Sequence, residues 1–181
     1  MRAGLAVWRA ASHPAAFFAG LGEEPRLGRA AAVAAASAAV GALIAGFLAL
    51  RVSGSDAWAP FLLAGPALAL PYVAIIAVLG GLVLMRPSGM DLRAFEVVAW
   101  AWTPSGLLAL SLLPIGLLVP GPALAGGLAM LPAWHLWLVW RGVQSFAAGG
   151  VRTAFALYAA AVFGLPLALL AFTVSVLARL A

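Results

Sequence analysis

Four residues of this chain have chemistry that most of their neighbours lack: Glu96, His135, Arg141 and Gln144. Glu96 and His135 sit within long apolar runs. A charge at the centre of a membrane span costs roughly 2.5–3.5 kcal/mol on insertion scales, so each needs a reason to be there. Arg141 directly follows Trp134, Trp137 and Trp140, which recur every third residue along one side of a helix end. Amphipathic aromatics followed by a cation mark a helix leaving a membrane on the cytoplasmic side. The two apolar runs are joined by Pro120-Gly121-Pro122, a very tight turn that makes them an antiparallel hairpin. Glu96 and Arg141 then fall near one interface, and His135 lies ~9 Å of helix rise deeper than Arg141. This register predicts a polar pocket open to the cytoplasm, lined by Glu96, His135, Arg141 and Gln144. Within it Glu96 pairs with Arg141, and His135 faces Trp100 or Thr103. A plainer arrangement of the same residues is an interfacial Glu–Arg pair with His135 bonded to a carbonyl freed by Pro104 or Pro132.

Catalysis has little to work with. There is no His-Glu-x-x-His helix, no Gly-x-Ser-x-Gly, no acidic cluster and no phosphate-cradling Gly-Lys-Ser loop. The absence of cysteine removes disulfides, thiolate metal sites and Cys nucleophiles together. Two histidines and five acids, mostly in loops, make a metal site or an intramembrane protease dyad hard to assemble. The expectation is a protein that is not an enzyme and carries no cofactor and no metal.

The solvent follows from composition. The 181 residues are 66% hydrophobic and 8% charged, with a mean hydropathy of +1.13, whereas soluble domains carry about 25% charged residues. Lipid must surround such a chain. All ten basic residues are arginine, a usage that fits GC-rich coding. They lie beside apolar spans, so the net charge of +5 points to anionic lipid headgroups as partners and not to nucleic acid. Other membrane proteins, or further copies of the chain, are the remaining partners.

The predicted fold is all-α: a polytopic membrane bundle of five transmembrane helices preceded by a short interfacial helix. Residues 1–28 form the N-terminal cytoplasmic or interfacial segment, and residues 29–181 the transmembrane domain. The spans fall at about 30–50, 58–85, 95–119, 123–140 and 153–178. Pro14 suits the first turn of the short helix. Phe17, Phe18 and Leu21 share one of its faces, and Gly22 stops it. Residues 2–12 have weak amphipathicity and are expected to be disordered. Leu5 to Trp8 is too short for a signal-peptide core, so no cleavage is expected. In span 1, Ala34, Ala38, Ala42 and Gly46 set small residues four apart, a spacing that lets helix backbones approach closely. Pro60, Pro66 and Pro71 crowd the first half of span 2 and are expected to kink it; Gly80 and Gly81 allow a close contact later. Trp100, Trp102, Trp134, Trp137 and Trp140, with Phe17 and Phe18, are read as interfacial anchors.

Arginine sets the orientation. Eight lie ahead of span 1, which begins at about residue 30, and in the 2–3 and 4–5 loops, which share one side; only Arg51 and Arg179 lie on the other. The positive-inside rule puts the N-terminus in the cytoplasm and the C-terminus outside.

The order of these features resembles the Yip1 domain family of five-span membrane proteins. Pro14-Ala-Ala-Phe-Phe18 is similar to its proline-aromatic segment before the first span. Arg93-Ala-Phe-Glu-Val-Val-Ala-Trp-Ala-Trp-Thr-Pro104 is similar to the start of its third span. Trp137-Leu-Val-Trp-Arg-Gly142 is similar to the aromatic exit of its fourth. The resemblance covers nearly the whole chain and is to a prokaryotic-type member in the cytoplasmic membrane. The Asp-Leu-Tyr-Gly-Pro type signature of the eukaryotic trafficking members is not present, since Asp91-Leu92 runs into Arg93. The resemblance therefore implies fold, topology and a role in membrane organisation, not Rab GTPase binding or vesicle budding. The alternative function is a small transporter, channel or lipid conduit working through the polar pocket between spans 3 and 4.

Overall fold

A computed structural model of the chain describes residues 3–22, 24–53, 58–86, 89, 91–103, 121–146 and 150–180. These residues form seven helices and no strand: α1 (Ala3–Ser12), α2 (Pro14–Ala19), α3 (Leu27–Ser53), α4 (Trp58–Met85), α5 (Arg93–Ala101), α6 (Gly121–Val143) and α7 (Val151–Leu180). The stretches expected as spans 1, 2, 4 and 5 are helical, as α3, α4, α6 and α7. Only the first turns of the expected span 3 are described, as α5. The rest of that span, with Pro104, Pro114 and the turn at Pro120, lies outside the described residues.

One stretch among the described residues, Leu27–Ile44 of α3, is long and apolar enough to cross a membrane. Ala69–Met85 and Val151–Gly164 are shorter apolar helical stretches. Helix α4 continues unbroken across Pro60, Pro66 and Pro71. Proline is tolerated in apolar helices when neighbouring groups satisfy the freed carbonyls.

At the N-terminus the expected disorder is corrected: residues 3–12 are helical. Ala6 and Ala10, one turn apart, are fully buried, while Leu5 and Trp8 face outward. Alanine adds little to a hydrophobicity pattern but lets backbones approach closely, so a face built from alanine is almost silent in the sequence. Helix α1 packs on α2 and α5. Pro14 takes the first turn of α2, as expected. That helix stops at Ala19, where the Gly20 amide bonds back to Ala16 and Phe17, two residues before the expected stop at Gly22.

The bundle core is close-packed through small residues. Ala30, Ala34 and Ala38 of α3 are buried where that helix packs on α4 and α5; Ala42 is half-buried, and the Gly46 contact lies outside the described side chains. Gly80 and Gly81 serve the expected close contact: the Tyr158 ring of α7 lies on Gly80 and the Phe95 ring of α5 on Gly81. On α6, a Cβ at Gly142 would overlap Cγ1 of Val97 and lie 3.2 Å from the Phe18 ring. Helices α2, α5 and α6 therefore meet at a point only glycine fits.

The start of α5 is tied down by charge. The Arg93 amide and Nε donate to the two Asp91 carboxylate oxygens at 2.8 and 2.7 Å, and the Arg93 guanidinium also lies 5.0 Å from the Phe146 ring centre beyond α6. The side-chain hydrogen bond from Arg93 holds the Asp91 carboxyl below its usual range.

Two outcomes follow. Gly142→Ala should lower the stability of the detergent-solubilised protein by about 1–3 kcal/mol, the cost of overpacking. Val97→Ala in the same chain should recover part of that loss, and a strictly additive pair would refute the contact. Because the folded Asp91 has the lower pKa, its contribution is present above the unfolded pKa and lost as pH falls through the folded one. Asp91→Asn should therefore cost up to about 1 kcal/mol at neutral pH and flatten the acid limb of a pH–stability curve, which an unchanged limb would contradict.

Candidate functional site

Two polar centres emerge from this packing. The first begins at a helix start with no capping side chain of its own. The Arg26 carbonyl accepts the Ala30 amide at 3.2 Å and so opens α3, but neither arginine nor its neighbours can cap the free N–H groups there. The cap comes from 70 residues away: Glu96 Oε2 accepts the Arg26 amide at 3.2 Å. A carboxylate at a helix N-terminus is favoured by both the hydrogen bond and the helix dipole. Its other oxygen accepts the Trp100 indole N–H at 3.4 Å. Glu96 is buried, with 4% of its surface exposed, so its carboxylate is held in one place.

Around this carboxylate lies an open cavity of about 1050 Å³. Arg9 and His13 contribute from α1 and its exit, and Glu24, Arg26 and Arg29 from the approach to α3 and its first turn. Phe17, Leu21 and Trp100 form an apolar wall. Phe17 sets its ring edge-on to Trp100 at 5.1 Å, and Phe18 turns into the core beside Gly142. The aromatic pair of α2 thereby clamps the N-terminal helices onto α5 and α6.

The second centre is buried between α4, α5, α6 and α7. His135 Nε2 is hydrogen-bonded to the Tyr158 hydroxyl, and the Trp102 ring stacks on the imidazole at 4.1 Å. Tyr72 sets its ring edge-on to Trp102 at 5.9 Å and donates its hydroxyl to the Val162 carbonyl at 2.9 Å. An imidazole that accepts the Tyr158 proton at Nε2 carries its own on Nδ1. That atom makes no hydrogen bond of good geometry, although the Ala101 backbone lies beside it. Thr103 Oγ1 and Trp134 Nε1 are also buried without a hydrogen-bond partner among the described residues. Aromatic rings cover the imidazole, and the cluster joins four helices.

The four residues predicted to share one pocket are not brought together. Glu96 faces the N-terminal helices; His135 is in the buried cluster, stacked on Trp102. Arg141 is exposed, with its guanidinium 5.9 Å from the Trp137 ring centre, and Gln144 is exposed beyond the end of α6. Helix phase explains the separation. His135, Leu138, Val139 and Gly142 form the buried stripe of α6, whereas Trp137 and Arg141, one turn apart, point the other way. Among the predicted anchors Trp137 keeps an outward position, 45% exposed, and Phe17, Trp134 and Trp140 are half-buried, Trp140 against Phe155. Phe18, Trp100 and Trp102 are buried and pack within the protein instead of meeting headgroups.

Sequence reasoning missed Arg9, His13, Arg26 and Arg29 as cavity residues and both tyrosines of the second centre. The tyrosines carried a usable signal: they are the only two in the chain, and each places a hydroxyl in an apolar helix. Among the described residues no three His, Asp or Glu side chains cluster as metal ligands would. No family model matches the chain, and neither a curated protein nor a solved structure matches it.

Tyr158→Phe should leave His135 Nε2 unpaired at a cost of about 1–3 kcal/mol, read as a lower unfolding temperature in detergent. Tyr72→Phe should cost less, because it removes a donor from a carbonyl within a helix and strands no buried group. An unfolding temperature unmoved by Tyr158→Phe would refute the bond.

Proposed function

We propose that the chain is a five-span, non-enzymatic integral membrane protein of the Yip1 domain type, which organises membrane by contacting lipids and other membrane proteins. The observation that carries this reading is the outer face of α4. Ile75, Val78, Leu79 and Leu82 stand outward at i, i+3, i+4 and i+7, each close to half exposed, while Val73, Ile76 and Leu84 of the same helix are buried. A helix apolar on both faces suits hydrocarbon on its outer side. Leu157 and Phe163 extend the same exposed apolar character to α7, and Val40, Leu43 and Phe47 to α3. No charged residue interrupts Trp58–Met85 or Thr153–Ala178.

The charged residues fit the cytoplasmic surface of such a bundle. The cavity beside Glu96, the Asp91–Arg93 loop and exposed Arg141 belong to the segments that the arginine distribution assigns to one side. Leu5 and Trp8, outward on α1, suit a helix lying at the headgroup level. The membrane-organising reading is favoured over a conduit because the cavity at Glu96 takes in α1, α2 and the start of α3, and His135 is not on its lining.

Because the chain has no cysteine, single introduced cysteines report topology without background. In intact cells, a membrane-impermeant maleimide should label Ser55→Cys directly and label Ser12→Cys and Ser145→Cys only after permeabilisation. Direct labelling at all three positions, or equal protection at all three, would overturn the five-span arrangement.

A further inference from the structure

We propose that the cavity between α1, α2 and the starts of α3 and α5 binds the phosphoethanolamine headgroup of a membrane lipid, its phosphate on the arginines and its ammonium on the carboxylates. This rests on the membrane reading above and deepens it from lipid contact in general to one headgroup chemistry.

The argument starts from the mixed sign of the lining. Arg9, Arg26 and Arg29 with His13 face the same space as Glu24 and Glu96. A ligand bearing only negative charge, or a phosphate joined to neutral glycerol, would pair with the arginines and bring no donor to Glu24 and Glu96 in the same lining. A zwitterion suits both signs at once. Each guanidinium carries five donors, so Arg9 and Arg29, which already have partners, keep donors for phosphate oxygens. An ammonium has three donors and no acceptor, the complement of carboxylates that only accept. Glu96 is held in place by the Arg26 amide and the Trp100 indole through one bond to each oxygen, which leaves further lone pairs on both. Glu24 is exposed at the mouth of the cavity.

Size and wall point to a lipid and not to a free metabolite. The cavity of about 1050 Å³ is at the upper end of small-molecule sites and has room for the headgroup and the first methylenes of the chains. Phe17, Leu21 and Trp100 supply the apolar side, and α3, the stretch apolar enough to cross a membrane, begins at its edge.

The test uses delipidated full-length protein in detergent, with native mass spectrometry reading the bound lipid. Phosphatidylethanolamine and phosphatidylglycerol with identical acyl chains are titrated separately, and soluble phosphoethanolamine is a third arm. The wild type should retain phosphatidylethanolamine in preference to phosphatidylglycerol. Glu24→Gln and Glu96→Gln should each weaken phosphatidylethanolamine about tenfold, the size of one charge-assisted hydrogen bond, without weakening phosphatidylglycerol. Glu24→Gln lies at an exposed position and keeps the test decisive if Glu96→Gln disturbs the fold. Equal retention of the two lipids, or a preference unchanged in Glu24→Gln, would overturn the proposal. Soluble phosphoethanolamine binding as tightly as the lipid would overturn the lipid assignment. Binding in detergent does not depend on how often, or in which direction, the chain crosses a bilayer. Failure here therefore leaves the topology standing, and a failed topology leaves this result readable.

Discussion

One buried carboxylate, Glu96, ties the approach to α3 to α5. It is buried, it is a cap for α3, and its indole partner Trp100 holds the ring that Phe17 packs against. A buried carboxylate without partners is strongly destabilising, so burial of Glu96 favours the arrangement in which the approach to α3 lies against α5. That arrangement positions α1 and α2, which have no apolar surface of their own large enough to fold alone, and it creates the cavity beside them. The small-residue contacts at Ala6, Ala10 and Gly142 then let the N-terminal helices come close enough for the carboxylate to reach.

The two polar centres differ in what surrounds them. The Glu96 cavity is open and lined by charges of both signs, so a ligand can reach it from the surface. The His135 cluster is sealed by Trp102, Tyr72 and Tyr158 across four helices. Under the membrane reading proposed above there is no hydrophobic force between helices, and buried hydrogen bonds and close packing must supply specificity. The His135–Tyr158 bond with Gly80 beneath the tyrosine ring is an instance of both: a polar contact that selects one rotational setting of α6 against α7, and a glycine that admits the ring.

Much of the fold was legible where one residue type has one physical meaning. Pro14 suits a first helical turn and takes it, Ala34 and Ala38 of the four-residue alanine spacing are buried in a helix contact, and Gly80-Gly81 admit the close approach that their lack of a side chain allows. Glu96 and His135 stood out because ionisable groups in apolar runs need partners. Their partners were not legible. Arg26 serves Glu96 through its backbone amide, which every residue but proline carries, so no side-chain type announces it. The pairing of Glu96 with Arg141 came from depth alone; depth places two residues at one level and says nothing of helix phase, and phase turned Arg141 outward. The tryptophans misled for a related reason. A large amphipathic ring serves equally as a headgroup anchor or as a core element with a hydrogen bond, and only burial separates Trp137 from Trp100 and Trp102.

The account stands on Glu96 acting as the clamp between the N-terminal helices and the bundle. Hydrogen–deuterium exchange of the full-length protein in lipid nanodiscs, wild type against Glu96→Ala, reads this directly. The clamp requires faster exchange in α1, α2 and the amides of Arg26 to Ala30, with protection in α6 and α7 retained. Unchanged exchange across residues 3–30 would contradict it.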